Sequence, residues 1–200
     1  MKPGKQTPLP RSFYDRSVHD VAPDLIGCRL MHDGVGGIIV ETEAYNQEDP
    51  ACHAYRGPTE RNRVMFGLPG RAYVYFSYGM HNLFNIVCEH EGKPAAVLIR
   101  ALEPTEGIDE MRRRRAAARD LHDLTNGPGK LTQALAIDLS HYGRPVYRGA
   151  LKLYGRSADC QEPGIIATPR IGIRTGTRRK WRYCAADSKY LSRRLTRKER

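Results

Sequence analysis

The sequence predicts an α+β fold in a single domain, built on a largely antiparallel sheet. Strand-like runs recur along the chain, and the loops joining those between residues 37 and 101 are too short for most parallel crossovers. Helix signals fall on either side of that block. A chain of 200 residues with 40% hydrophobic content can bury one good core, and no linker or internal repeat divides it.

In chain order, Ser17 to Ile26 reads as a short helix closed by Gly27, with Pro23 limiting its length. Strands follow at Gly37–Tyr45, Arg71–Ser77, Leu83–Glu89 and Ala95–Ala101. Thr105 is placed to cap a helix whose first turn holds Glu106, Asp109 and Glu110, acids that suit the positive end of a helix dipole. Its body runs through Arg112–Arg115, read as a solvated face. Asn126–Gly129 is a loop, and Lys130–Ile137 is a further helix with Leu131, Ala134 and Leu135 at helical spacing. Later strands are expected at Leu151–Tyr154, Ile165–Ile173 and Trp181–Ala185.

Charge narrows the partner. The net charge is +11, and residues 170–200 carry twelve Lys and Arg against Asp187 and Glu199, so nearly all the excess sits at one end of the chain. Such an excess suits a polyanion, because phosphate contacts by Lys and Arg release counterions and dominate non-specific affinity. Acidic lipids fit less well, since the stretch has no amphipathic helical stripe. For residues after Leu191, a frayed, solubilising end is an equal reading. Met1–Pro10 is polar and lacks an apolar signal core, and no apolar run approaches membrane length, so a cytoplasmic protein is expected. Five widely spaced cysteines (Cys28, Cys52, Cys88, Cys160 and Cys184) form no CxxC pair and read as buried thiols.

The chemistry concentrates in two runs. In Val40-Glu-Thr-Glu-Ala-Tyr45, period-two alternation lines Glu41, Glu43 and Tyr45 along one face and Val40, Thr42 and Ala44 along the other. In Tyr73-Val-Tyr-Phe-Ser-Tyr-Gly79, three tyrosines offer flat surfaces of the kind that stack on nucleobases. Ordinary sheet packing, with the glutamates in water, accounts for the same pattern. Glu41 and Glu43, roughly 7 Å apart as i and i+2 on a strand, resemble a glycosidase pair, although such pairs usually come from different strands. His53 and His81 lie near these runs, but no HxxxH, HxH or HExxH spacing points to a metal, and no cofactor fingerprint occurs.

Several motifs together resemble the alkyladenine (3-methyladenine) DNA glycosylase family. They are Val40–Tyr45, His53 after a short acidic loop, Arg61-Asn-Arg-Val-Met-Phe66, Tyr73–Met80, Asn85, Leu98–Pro104 and Gly127–Leu135, in the family's order over about residues 12–185. The resemblance implies a curved antiparallel sheet with surrounding helices, and hydrolytic removal of alkylated or deaminated purines from double-stranded DNA by a monomer without cofactor or metal. Residue by residue, it implies that Glu43 is the base for the attacking water and that Arg100 helps hold that water or the adjacent phosphate. Tyr45 and Tyr75 would sandwich the extruded purine, His53 would contact its edge, and Asn85 would face a guanine amino group. Tyr78 would be the wedge that fills the gap in the duplex. His81 stands where relatives often carry an aromatic residue, and the end after Leu191 is unmatched.

The implied chemistry is self-consistent. A cationic alkylated purine already leaves readily, so one carboxylate can suffice where a neutral leaving group would need two. The base must leave the stack before it can be reached. Two other classes fit parts of the pattern: a nucleic-acid-binding module without activity, and a metal-dependent nuclease.

Overall fold

The computed structural model describes residues 7–77, 79–157 and 162–200. Two short helices, α1 (Arg11–Tyr14) and α2 (Val18–Asp24), open it. The Ser17 hydroxyl accepts from the His19 amide, the Glu89 carboxylate accepts from the Val18 amide, and Pro23 and Gly27 (φ 85°) end the segment. The predicted helix is therefore present but shorter.

Next comes a hairpin that the sequence reading lacks. Strand β1 (Arg29–His32) pairs with β2 (Val35–Asn46) across Asp33 and Gly34, whose φ values of 47° and 78° mark a two-residue turn of the kind Asp-Gly favours. Strand β2 thus begins before Gly37. Its glycines serve close packing: a Cβ on Gly36 would lie 2.2 Å from the Leu30 carbonyl oxygen, and one on Gly37 would lie 2.1 Å from that of Glu103.

Strands β3 (Ala72–Ser77), β4 (His81–Cys88) and β5 (Ala95–Glu106) follow as an antiparallel meander. Strand β5 runs on past Ala101, because pairing with β2 continues as far as Gly36 opposite Glu106. Thr105 is therefore a strand residue and no cap; Gly107, at φ 66°, occupies that position before α3 (Ile108–Arg114). The arginines of α3 lie at its surface, where Arg112 pairs with Asp109 and both Arg113 and Arg114 pair with Glu110. Helix α4 (Pro128–Leu135) begins two residues before Lys130, with Pro128 in the first turn, where its missing amide costs nothing, and it stops at Ala136 in the left-handed region.

Strand β6 is Leu151–Tyr154 as expected, β7 (Ile165–Thr168) stops short of Pro169, and β8 is Arg182–Ala185. Neighbours run β3-β4-β5-β2-β1-β6, every pairing is antiparallel, and β8 joins β2 to β7. Strand β2 is the hub. One edge pairs with β5 throughout, while the other meets β1 at residues 35–38 and β8 at residues 41–43. Register shifts around Gly36 and Glu41 act as bulges, which bend a strand and curl the sheet. One bulge skips Val40, which leaves the face of Thr42 and Ala44 and packs with Ala101, Cys184, Tyr190 and Leu191.

The main core lies between the sheet and helices α2 and α4, with Leu25, Ile39, Phe84, Ile99 and Leu131 fully buried. Cys28, Cys52, Cys88 and Cys184 are buried free thiols, and burial pushes that of Cys28 up to about 11. Cys160 lies outside the described residues. No helix among those described is long and apolar enough to cross a membrane.

Candidate active site

Strand β2 carries Glu41 and Glu43 into the protein on one side of the sheet, and neither side chain is exposed. Two buried carboxylates need compensating charge, and Arg100 from the adjacent strand β5 and Arg182 from β8 supply it. Glu41 is saturated. Its Oε1 accepts from Arg100 Nε (2.9 Å), Arg182 Nε (2.7 Å) and the Ser192 hydroxyl (2.7 Å), while Oε2 accepts from the Ser192 amide (2.6 Å). Burial opposes its charge, but Arg100 and Arg182 together with these hydrogen bonds outweigh burial and hold the carboxyl below its ordinary range.

Glu43 is held differently. Its Oε2 accepts from the Tyr45 hydroxyl (2.8 Å) and Arg100 Nη1 (3.2 Å), and its Oε1 accepts from the Ile171 amide (2.8 Å). All three donors belong to residues that line a cavity of about 530 Å³, within the size range of small-molecule sites. Burial works against the Arg100 charge, yet Glu43 and Glu41 more than offset it and keep the guanidinium protonated.

The cavity also collects His53, Tyr75 and Asn85. Five residues predicted from separate motifs, namely Tyr45, His53, Tyr75, Asn85 and Arg100, therefore share one wall system, with Glu43 immediately behind it. Tyr78 lies outside the described residues, while its neighbours in the β3–β4 connection, Phe76 and Met80, are 50% and 69% exposed. His81 is exposed beside Gly129, where a Cβ would lie 2.8 Å from the imidazole.

The two predicted stacking tyrosines each have a guanidinium over the ring. Arg170 lies 4.5 Å from the Tyr45 centroid and 5.1 Å from that of Trp181, and Arg61 lies 4.9 Å from the Tyr75 centroid. Arg170 is itself anchored by Asp49 and by the Ala44 carbonyl (3.0 Å). Because Tyr45 faces the cavity and Arg170 does not line it, the stack backs the tyrosine from behind.

His53 is placed by Tyr73, whose hydroxyl lies 2.7 Å from Nδ1, and by Tyr75, whose ring centroid is 4.6 Å away. Burial raises the Tyr73 phenol, and its hydroxyl and His53 Nδ1 share one hydrogen bond that fixes the plane of the imidazole. Burial and then Arg61 lower the tendency of His53 to protonate. The backbone at His53 is fixed by Asn62, which donates to its carbonyl (2.8 Å) and to that of Gly57 (3.1 Å). The Asn85 amide donates to the Tyr73 carbonyl (3.1 Å).

Sequence reasoning assigned no role to Tyr73, Asn62, Arg170, Ile171 or Ser192. Tyr73 and Asn62 sit inside motifs that had drawn attention, and Tyr73 shares the Tyr75 side of a strand by period two. The other three approach from more than a hundred residues away, and no local pattern marks them.

Of the twelve basic residues between 170 and 200, Arg170 and Arg179 pair with Asp49, Arg182 with Glu41 and Arg193 with Glu199. Arg174, Arg178 and Lys180 make no ion pair among the described residues, and Arg174 stands on the cavity wall. Among the described residues, no three His, Cys, Asp or Glu side chains converge to hold a metal ion.

Comparison with known proteins adds a family. The model described as methylpurine-DNA glycosylase (MPG) matches residues 12–189. A protein of Bradyrhizobium diazoefficiens is 54% identical over 185 residues, which covers 92% of this chain and 90% of the relative. One from Nitrobacter winogradskyi is 53% identical over 188 residues (92% and 87%), and one from Carboxydothermus hydrogenoformans is 50% identical over 188 residues (92% and 98%). All three carry the name "Putative 3-methyladenine DNA glycosylase".

Proposed function

The chain belongs to the methylpurine-DNA glycosylase family, hydrolases of DNA repair, and from that premise we propose that it extrudes alkylated or deaminated purines from duplex DNA into the Glu43 cavity and hydrolyses their N-glycosidic bond. The observation that supports this best is a buried carboxylate immediately behind the wall of a cavity lined by Tyr45, backed by Arg170, and by Tyr75.

A damaged, weakly paired base is the least costly to unstack. The extruded purine stacks on Tyr45 and Tyr75, and His53 contacts its edge. Asn85 meets the exocyclic substituent that separates adenine-type from guanine-type bases. Tyr78 takes the vacated space in the duplex. A water oxygen then attacks the anomeric carbon and Glu43 removes its proton, while the bonding electrons of the breaking C–N bond go to the purine. Arg100 steadies the carboxylate and the water. An alkylated adenine is neutralised by those electrons, so no strong acid is required.

The matched motifs present no lysine beside the carboxylate, so the enzyme is monofunctional and borohydride traps no Schiff base. The enzyme is proposed to act as a monomer. Duplexes bearing single lesions (3-methyladenine, hypoxanthine and ethenoadenine), incubated with and without chelator, test the reading. Release of free base with the strand left intact, in both conditions, is the expected outcome. Chelator-sensitive strand cleavage would favour a nuclease, and binding without base release would favour a non-catalytic module.

A further inference from the structure

We infer that Ser192 is a positioning residue for excision, its hydroxyl fixing the orientation of Arg100 and through it that of Glu43. This rests on the function proposed above. A guanidinium is a rigid plane, so holding two of its nitrogens aims the third. In Arg100, Nε is tied to Glu41 (2.9 Å) and Nη2 to the Ser192 hydroxyl (3.3 Å), and the nitrogen thereby aimed is Nη1, on Glu43. The serine fits between the two groups it joins. Its one proton goes to Glu41 Oε1 (2.7 Å) and its oxygen accepts from Arg100, so both sides of the hydroxyl are used.

Ser192 does not line the cavity, so its influence on the reaction passes through Arg100. The segment that carries it is packed in place. Tyr190, Leu191 and Leu195 are buried against Val40, Ala101 and Cys184, and the Arg193 carbonyl accepts from Arg182 Nη2 (2.8 Å). Part of the basic C-terminal end thus belongs to the support of the site. The Ser192 amide also bonds Glu41 Oε2, and this hydrogen bond does not depend on the hydroxyl. Ser192→Ala therefore removes the orienting group without unseating the segment.

The test compares the parent with Ser192→Ala, Ser192→Thr and the charge control Arg197→Ala/Lys198→Ala. Three quantities are read: single-turnover release of 3-methyladenine from methylated duplex at saturating enzyme, affinity for a duplex with an abasic analogue, and melting temperature. A misplaced catalytic group commonly slows chemistry by about 10- to 100-fold. Ser192→Ala is expected to show a loss in that range at parental affinity, with a modestly lowered melting temperature from the lost buried hydrogen bonds, and Ser192→Thr to recover both. The charge control is expected to weaken affinity and spare the rate. A Ser192→Ala rate equal to the parent's would overturn the inference while leaving the glycosylase reading intact. So would a slowed rate accompanied by a lowered melting temperature and not recovered by Thr. No release by the parent would instead overturn the proposed function.

Discussion

Glu41 and Glu43, two positions apart on one strand, share the Arg100 guanidinium, whose Nε is 2.9 Å from Glu41 and whose Nη1 is 3.2 Å from Glu43. They differ in everything else around them. Glu41 is enclosed by Arg182 and Ser192 and has four donors, whereas the donors on Glu43 belong to residues of the cavity wall. The first has the surroundings of a structural anchor, and the second those of the reactive group proposed above.

That division predicts opposite results for the two carboxylates in folding. Glu41→Ala leaves buried Arg182 without a carboxylate and Arg100 with Glu43 alone, and breaking a buried ion pair on one side costs about 3–5 kcal/mol. Urea denaturation should show a loss of that order. A variant as stable as the parent would mean that Arg100 and Arg182 find other partners.

His53 gives the stability a pH dependence near neutrality. Burial and Arg61 lower its protonation in the folded state below the ordinary 6.5, so the unfolded chain binds the additional proton first. Stability is therefore lost as pH falls through 6.5 and levels off below the folded-state value. His53→Gln lacks the effect. Between about pH 8 and about pH 5 its melting temperature should fall less than the parent's, by differential scanning calorimetry. Parallel curves would assign the acid lability to other groups.

The basic surface should govern affinity and leave lesion choice alone. Arg174 and Arg178 carry charge that no described carboxylate neutralises, and phosphate contacts convey no damage information. The double alanine variant should weaken binding to damaged and undamaged duplexes by the same factor. The slope of log affinity against log salt should fall by about 0.9 for each phosphate that the variant no longer neutralises. A change confined to damaged DNA would instead place Arg174 among the groups that read the base.

How much of this was legible beforehand depends on sequence distance. Glu41, Glu43 and Tyr45 on one face followed from strand alternation; the solvated face read from the arginine run holds for Arg112 and Arg113, whereas Arg114 and Arg115 are half-buried and donate to the Ala134 and Asp123 carbonyls. The β1–β2 hairpin was also written locally, in Asp33-Gly34, but the strand was read from Gly37 onward and Gly36 left out; both are strand glycines where backbones approach within the space of a Cβ. Thr105 looked like a cap because caps are local, whereas β5 is prolonged by its pairing with β2. Arg170, Ile171 and Ser192 could not be foreseen. Ser192 meets Glu41 across 151 positions of chain, and no spacing rule reaches that far.

The sharpest prediction concerns Glu43→Gln. The amide keeps the size of the side chain, and its one oxygen can accept from Tyr45 and Arg100; its NH2 then faces the Ile171 amide, so a single hydrogen bond is lost and the cavity and fold are otherwise kept. What it loses is the ability to take a proton from water, and with it the negative charge that favours a cationic sugar in the transition state. General-base catalysis alone contributes about 10²- to 10⁴-fold, so single-turnover excision should fall by at least about 10²-fold. Affinity for an ethenoadenine duplex should stay near the parent's, because stacking and phosphate contacts do not involve the carboxylate. Both measurements belong on one preparation. Retained excision with weakened binding would make Glu43 a wall of the pocket and move the search for the base to another group, Glu41 first, although four donors already occupy that carboxylate.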